Sequence, residues 1–136
     1  MAILNSDAEI ASLLQRSRTI AVVGLSGNPS RDSHRVAAYL QKAGYTIIPV
    51  NPFLREALGE KAYPDLGSIG YPVDIVDVFR RPEFVPAIAE AAVRAGARAL
   101  WLQFDTVDAE AEAAAGRTGL DVVLDRCIMV EHRRLA

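Results

Sequence analysis

Cysteine occurs once in this chain and histidine twice. A single Cys127 excludes an internal disulfide and leaves no cysteine-rich metal site, and His34 and His132 add little to a metal case. No apolar run approaches the roughly 20 residues of a membrane span. The N-terminal Met-Ala-Ile-Leu-Asn-Ser-Asp has no basic region followed by an apolar one, so the expected location is the cytoplasm. An excess of either charge is also missing. Fifteen basic and seventeen acidic residues are interspersed and leave a net charge of −2. Neither nucleic acid nor a membrane surface is therefore an expected partner, and any anion site must be local. What the chain does have is apolar content: 136 residues at 51% hydrophobic predict one domain, residues 1–136, with a real core.

The chain alternates between strand and helix signals. Ser6 with Glu9 three positions later forms a capping box, and Ile10, Leu13 and Leu14 then share a helical face. Thr19–Val23 is a short β-branched run of the kind buried on both faces of a parallel sheet. Ser33 is placed to cap the next helix, with Val36, Ala37 and Leu40 inward and Gly44 ending it. The second strand is Tyr45–Val50. The segment from Asn51 to Pro72 holds three prolines and three glycines, and so reads as loop and turns. Val73–Phe79 is the third strand. A helix follows from Pro82 to Gly96, then a fourth strand at Ala97–Leu102, a helix over Val107–Arg117 and a fifth strand at Leu120–Leu124. The tail from Arg126 reads as a surface segment with Met129 and Val130 partly buried. This alternation predicts an α/β, Rossmann-like fold: five parallel strands in the order 3-2-1-4-5 with helices on both faces. The ligand crevice then lies outside the carboxyl ends of strands one and four.

The stretch Thr19–Ser33 organises this arrangement. A buried strand runs into small residues, Gly24, Ser26 and Gly27, and then into a helix whose first amides lack internal partners. Such a turn attracts phosphate. The dinucleotide fingerprint G-x-G-x-x-G fails here, because Ser26 and Pro29 stand at its second and third glycine positions. The acidic residue that would hold the ribose of NAD at the end of strand two is replaced by Asn51-Pro52. A phosphate loop of the G-x-x-x-x-G-K type is absent as well. A loop with Arg31 and Ser33, and a strand-two end without negative charge, suits a ligand with several phosphates, one of them on the ribose.

Several words of the chain then carry a resemblance: Val23-Gly24-Leu25-Ser26 with Arg31-Asp32-Ser33; Pro49-Val50-Asn51-Pro52; Val73 to Arg80; Trp101-Leu102-Gln103; and Asp125-Arg126-Cys127 with Glu131-His132. In this order they resemble the small stand-alone CoA-binding protein family, whose fold is similar to the CoA-binding domain of the succinyl-CoA synthetase α subunit. The resemblance covers nearly the whole chain. It implies that Gly24, Ser26, Arg31 and Ser33 hold the phosphates of coenzyme A and that Val50, Asn51 and Pro52 line the adenosine end. It further implies that Phe79 and Arg80 flank the nucleotide, while Trp101 and Gln103 border the pantetheine path. The family commonly has glycine near Asp105, where a carboxylate either faces the crevice or caps the next helix.

Each of these residues also has a plainer reading. Arg31, Arg80 and Arg81 are equally solvated surface arginines, and Trp101 on a central strand is equally core. Asp74 and Asp77 are three apart, so a regular strand sends them to opposite faces, which suits bonds to amides or arginines better than an acid–base pair. Cys127 is either an inert small hydrophobe or the partner of the CoA thiol in a mixed disulfide. No residue is assigned a catalytic or metal-binding role. The expected function is binding of CoA or an acyl-CoA without catalysis. The alternatives are a component of an acyl-CoA ligase or CoA-linked redox system and, less favoured, an NAD(P)-dependent oxidoreductase.

Overall fold

A computed structural model describes residues 2–135. Eight strands and five helices follow one another: β1 (Ala2–Ile3), α1 (Asp7–Arg16), β2 (Thr19–Val23), α2 (Asp32–Lys42), β3 (Thr46–Val50), β4 (Glu56–Ala57), β5 (Glu60–Lys61), β6 (Ile75–Val78), α3 (Val85–Arg94), β7 (Ala99–Leu102), α4 (Ala109–Gly116), β8 (Asp121–Leu124) and α5 (Ile128–Leu135). Six strands form a parallel sheet in the order β1-β8-β7-β6-β2-β3, and β4 and β5 make a small antiparallel hairpin.

The Rossmann-like α/β class holds, with two corrections. A short strand, β1, joins the far edge beside β8 and raises the count from five to six. The five expected strands stand in the order 2-1-3-4-5, not 3-2-1-4-5, because β6 pairs with β2 rather than beyond β3. Asp74 accounts for this placement. Its Oδ2 accepts from the N–H groups of Arg18 (2.7 Å) and Thr19 (3.1 Å), and its own N–H donates to Thr19 Oγ1 at 2.9 Å. The start of β6 is thereby laced to the start of β2. The topological switch moves from strands one and four to strands one and three, and the crevice moves with it.

Alternation of side chains divides the core into two layers. On one face Ile20, Val22, Ile75, Trp101 and Val123 pack against Ile10, Leu13 and Leu14 of α1, Val36 and Leu40 of α2, and Ile128 of α5. On the other, Ala21, Val23, Val76, Val78, Leu100 and Leu102 meet Val85, Ala89 and Ala92 of α3 and Ala111 and Ala115 of α4. The capping box at α1 forms as expected, with Glu9 N–H donating to Ser6 Oγ at 3.1 Å and Ser6 N–H to Glu9 Oε1 at 3.2 Å. Caps of this kind contribute about 1 kcal/mol. The tail is a helix, not a surface segment. It is anchored by buried Ile128 and Glu131, and Arg134 reaches Asp7 of α1 at 2.7 Å. No helix among the described residues is long and apolar enough to cross a membrane.

Candidate functional site

Three strand ends are tied together at the carboxyl edge. Gly24 N–H donates to the Val50 carbonyl and Phe79 N–H to the Val23 carbonyl, both at 2.9 Å, so the exits of β2, β3 and β6 meet at one place. The end of β7 does not join them, because β6 stands between β7 and β2.

Between β2 and α2 the chain folds around its own small polar side chains. Ser26 N–H donates to Ser33 Oγ at 2.9 Å, Asn28 N–H to Ser26 Oγ at 3.0 Å, and Ser30 N–H to Asn28 Oδ1 at 3.0 Å. His34 Nδ1 donates to the Ser26 carbonyl at 2.9 Å. Ser33 therefore does not cap the helix. The N-cap is Arg31, whose side chain makes no capping bond, and Ser33 instead turns back to hold the loop. The N–H groups of Leu25, Gly27, Asp32 and Ser33 find no acceptor among the described residues. Leu25 is fully buried, so the donors open to a ligand are those of Gly27, Asp32 and Ser33, and unpartnered donors at the positive end of a helix dipole form an anion cradle.

Gly24 is what makes the close packing of this turn possible. Its φ is +90°, and a Cβ there would stand 2.7 Å from the Phe79 carbonyl oxygen and 3.0 Å from Arg80 Cδ. Only glycine combines that backbone angle with that proximity.

A cleft of about 570 Å³ opens from this turn. Gly24, Ser26, Arg31, Val50, Asn51, Pro52 and Arg80 all line it. Ser33 and Phe79 line a shallower pocket on the α2 side, which shares Gly24, Ser26 and Arg31 with the cleft. Nine of the eleven expected residues thus gather around one turn. Trp101 and Gln103 do not. Trp101 is fully buried, with Nε1 donating to the Arg126 carbonyl at 2.8 Å. Gln103 is also buried, and its Oε1 accepts from Ile128 N–H at 3.1 Å, at the start of α5. Both follow from the position of β7, two strands from the turn.

The opposite wall escaped the sequence reading. Asp65 and Leu66 from the turn before β6, Phe84, and Ala87, Ile88 and Ala91 of α3 complete the cleft. The signal was the strand order: with strand three beside strand one, the helix that follows strand three faces the crevice. Beyond Asp65, Leu66 and Ala91 a second groove of about 560 Å³ continues past Tyr71 and Arg94.

Charge in the cleft is uneven. Arg31 is exposed, and Arg80 lies 4.2 Å over the Phe84 ring; neither pairs with a carboxylate among the described residues. Arg81, by contrast, has Glu83 at 3.8 Å. A guanidinium stacked on a ring keeps its planar donor fork free for an anion. Asn51 is structural as well as near: its Nδ2 donates to the Leu25 carbonyl and its Oδ1 accepts from Phe53 N–H, both at 2.9 Å.

The two aspartates of the third-strand segment separate. Burial pushes the Asp74 carboxyl up, but the amides of Arg18 and Thr19, the Thr19 hydroxyl and nearby Arg98 bring it below the usual range. Asp77 lies between Val22 and Trp101 in the sheet, is completely buried, and has no hydrogen-bond partner on either oxygen among the described residues. Burial drives its carboxyl well above the ordinary value, which favours the neutral acid over the carboxylate. Asp105 sits at φ +62°, the left-handed region where glycine is favoured, and the cap of α4 comes instead from Asp108, whose Oδ1 accepts from Ala111 N–H at 2.8 Å.

The fold is shared with other proteins. The Bacillus subtilis protein YneT is 50% identical over 127 residues, 93% of this chain and 94% of YneT. The structure of a protein from Pyrococcus horikoshii OT3 superposes with a TM-score of 0.92 at 40% identity, over 96% of this chain and 92% of that one. An acetyl-coenzyme A synthetase from Ca. Korarchaeum cryptofilum gives a TM-score of 0.65 at 25% identity, covering 76% of this chain but only 25% of the synthetase. Residues 18–133 match the CoA binding domain, and the chain belongs to that family.

Proposed function

We propose that this protein binds coenzyme A or an acyl-CoA at the turn between β2 and α2, as a single binding domain that performs no reaction of its own. The observation that carries this reading is the set of N–H groups at Gly27, Asp32 and Ser33 that find no acceptor among the described residues, in the turn whose pocket shares Gly24, Ser26 and Arg31 with the cleft that Arg80 lines. The residues present fit the group: Ser26, Arg31 and Arg80 border the cleft with polar and charged donors, and the walls of Val50, Pro52, Leu66 and Ile88 are apolar enough for an adenosine. Arg31 and Arg80 supply charge-assisted donors to phosphate oxygens. Bound there, coenzyme A would offer its thiol or thioester outside the sheet edge.

A second reading has its own support. The fold recurs as about a quarter of an acetyl-CoA synthetase, so this chain is also suited to deliver its ligand to a separate partner that carries the chemistry. Nicotinamide dinucleotides are disfavoured by Ser26 and Pro29 at the glycine positions and by Asn51 at the end of β3. Two experiments test the proposal: mass spectrometry of small molecules released from gently purified protein, and calorimetric titration with CoA, acetyl-CoA, NAD and NADP. Release of CoA and saturable binding of the first two ligands support it. Binding of NAD in preference to CoA refutes it, and co-purification of a nucleotide-dependent ligase favours the second reading.

A further inference from the structure

We propose that Phe53 stacks on the adenine ring of the bound ligand and covers it at the mouth of the cleft. The inference rests on the CoA reading above and adds the residue that holds the base.

The phosphate turn and the cleft overlap only in part. Gly24, Ser26 and Arg31 line both the pocket of the turn and the cleft, whereas Val50, Pro52, Phe53, Leu66 and Ile88 line the cleft alone. A nucleotide that sets its phosphates on the amides of Gly27, Asp32 and Ser33 has these five apolar side chains to receive its ring. Phe53 also stands close to the cradle along the chain. Its neighbour Leu54 reaches back to the turn, so that a Cβ on Gly27 would lie 3.3 Å from Leu54 Cδ2.

The Phe53 ring is open to water while its backbone is fixed. The side chain is 92% exposed, more than any other large apolar residue among those described. It makes no ring or cation contact among the described residues. Phe84, the other aromatic residue of the cleft, already carries Arg80 at 4.2 Å over its ring. Phe53 is thus the aromatic face left for a base. Asn51 holds it in place: its Oδ1 accepts from Phe53 N–H at 2.9 Å, its carbonyl accepts from Leu54 N–H at 3.3 Å, and its own Nδ2 and N–H donate to the carbonyls of Leu25 and Tyr63, both at 2.9 Å. Only the two side-chain torsions of Phe53 remain to be ordered when a ligand arrives, a small entropic cost for a large flat contact. Stacking needs no more than a π face, so Phe53 adds affinity for the base without reading its edge.

Calorimetric titration of CoA into the native protein, Phe53→Ala and Phe53→Tyr tests this contact, because a side chain so exposed can be replaced without loss of the fold. Phe53→Ala should weaken binding about 5- to 100-fold, the scale of one base on one aromatic ring, and Phe53→Tyr should retain the native affinity. Phe53→Trp gives a readout that a merely structural role would not move. Its new indole should be quenched as CoA binds, against a native protein whose single tryptophan, Trp101, is fully buried and should change little. Native affinity in folded Phe53→Ala, or an unquenched indole in Phe53→Trp at saturating CoA, overturns the inference while CoA binding stands. Failure of the native protein to bind CoA overturns the reading beneath it as well.

Discussion

The α-carbon of Gly24 faces the carbonyl of Phe79 so closely that a methyl group on Gly24 would lie 2.7 Å from that oxygen. The contact joins the exit of β2 to the exit of β6, and it occurs at a φ of +90°. Gly24→Ala therefore meets two penalties, a strained backbone and a steric overlap with main chain that cannot swing away. Together they should destabilise the fold by about 2–4 kcal/mol. Denaturant titration measures the loss. A variant within about 0.5 kcal/mol of the native protein contradicts this account of the turn.

The exposed Arg31 side chain has no carboxylate partner among the described residues, and its backbone bonds survive in alanine, so its truncation should leave the fold intact. Arg31→Ala is expected to keep the native melting temperature and to weaken CoA binding by about 10- to 100-fold, the range for a charge-assisted bond to phosphate. The native affinity should also fall as salt rises, and less steeply in the variant. Calorimetry at two salt concentrations checks both statements, and full affinity in Arg31→Ala contradicts them.

Asp77 makes stability depend on pH in an unusual direction. Its folded-state value lies above the ordinary 3.8, so between that value and the raised one the folded state keeps a proton that the unfolded state has released. Each pH unit across this window costs about 1.4 kcal/mol. The contribution is fully present below pH 3.8 and is lost as pH rises. Asp74 acts in the opposite sense, its contribution being lost on acidification, so the comparison must be with a variant. Asp77→Asn should be more stable than the native protein at pH 7 and lose that advantage near pH 4; equal pH profiles refute the assignment.

Cys127 belongs to the core layer of Val22, Trp101 and Ile128 and is 7% exposed. Incubation with oxidised CoA should leave the folded protein's intact mass unchanged, with an adduct forming only in denaturant. Rapid adduct formation under native conditions, absent in Cys127→Ser, restores the mixed disulfide as a functional reading.

The sequence revealed most where the physics is local. The capping box at Ser6 and Glu9, the buried runs of β2 and β8, and the polar turn after Val23 depend on neighbours within a few residues, and each lies where its pattern places it. Strand order is not local. It turns on Asp74 pairing with amides more than fifty residues away, and no periodicity in a single chain records that. The same cause hid one wall of the cleft, since Ala87, Ile88 and Ala91 read as ordinary helix until β6 is placed beside β2. It also explains Trp101 and Gln103, which the resemblance assigns to the ligand and the fold turns toward α5 and its preceding loop. The helical tail was missed because its anchor, Arg134 on Asp7, spans the length of the chain.

The most direct test of the central claim is an amide-resolved nuclear magnetic resonance titration of the native protein with coenzyme A. The largest shifts should fall on the N–H groups of Gly27, Asp32 and Ser33, with smaller ones along Val50 and Ile88. Shifts concentrated elsewhere, for example around Gly44, Tyr45 and His132 at the pocket beside α1, would show that the anion docks at a different place.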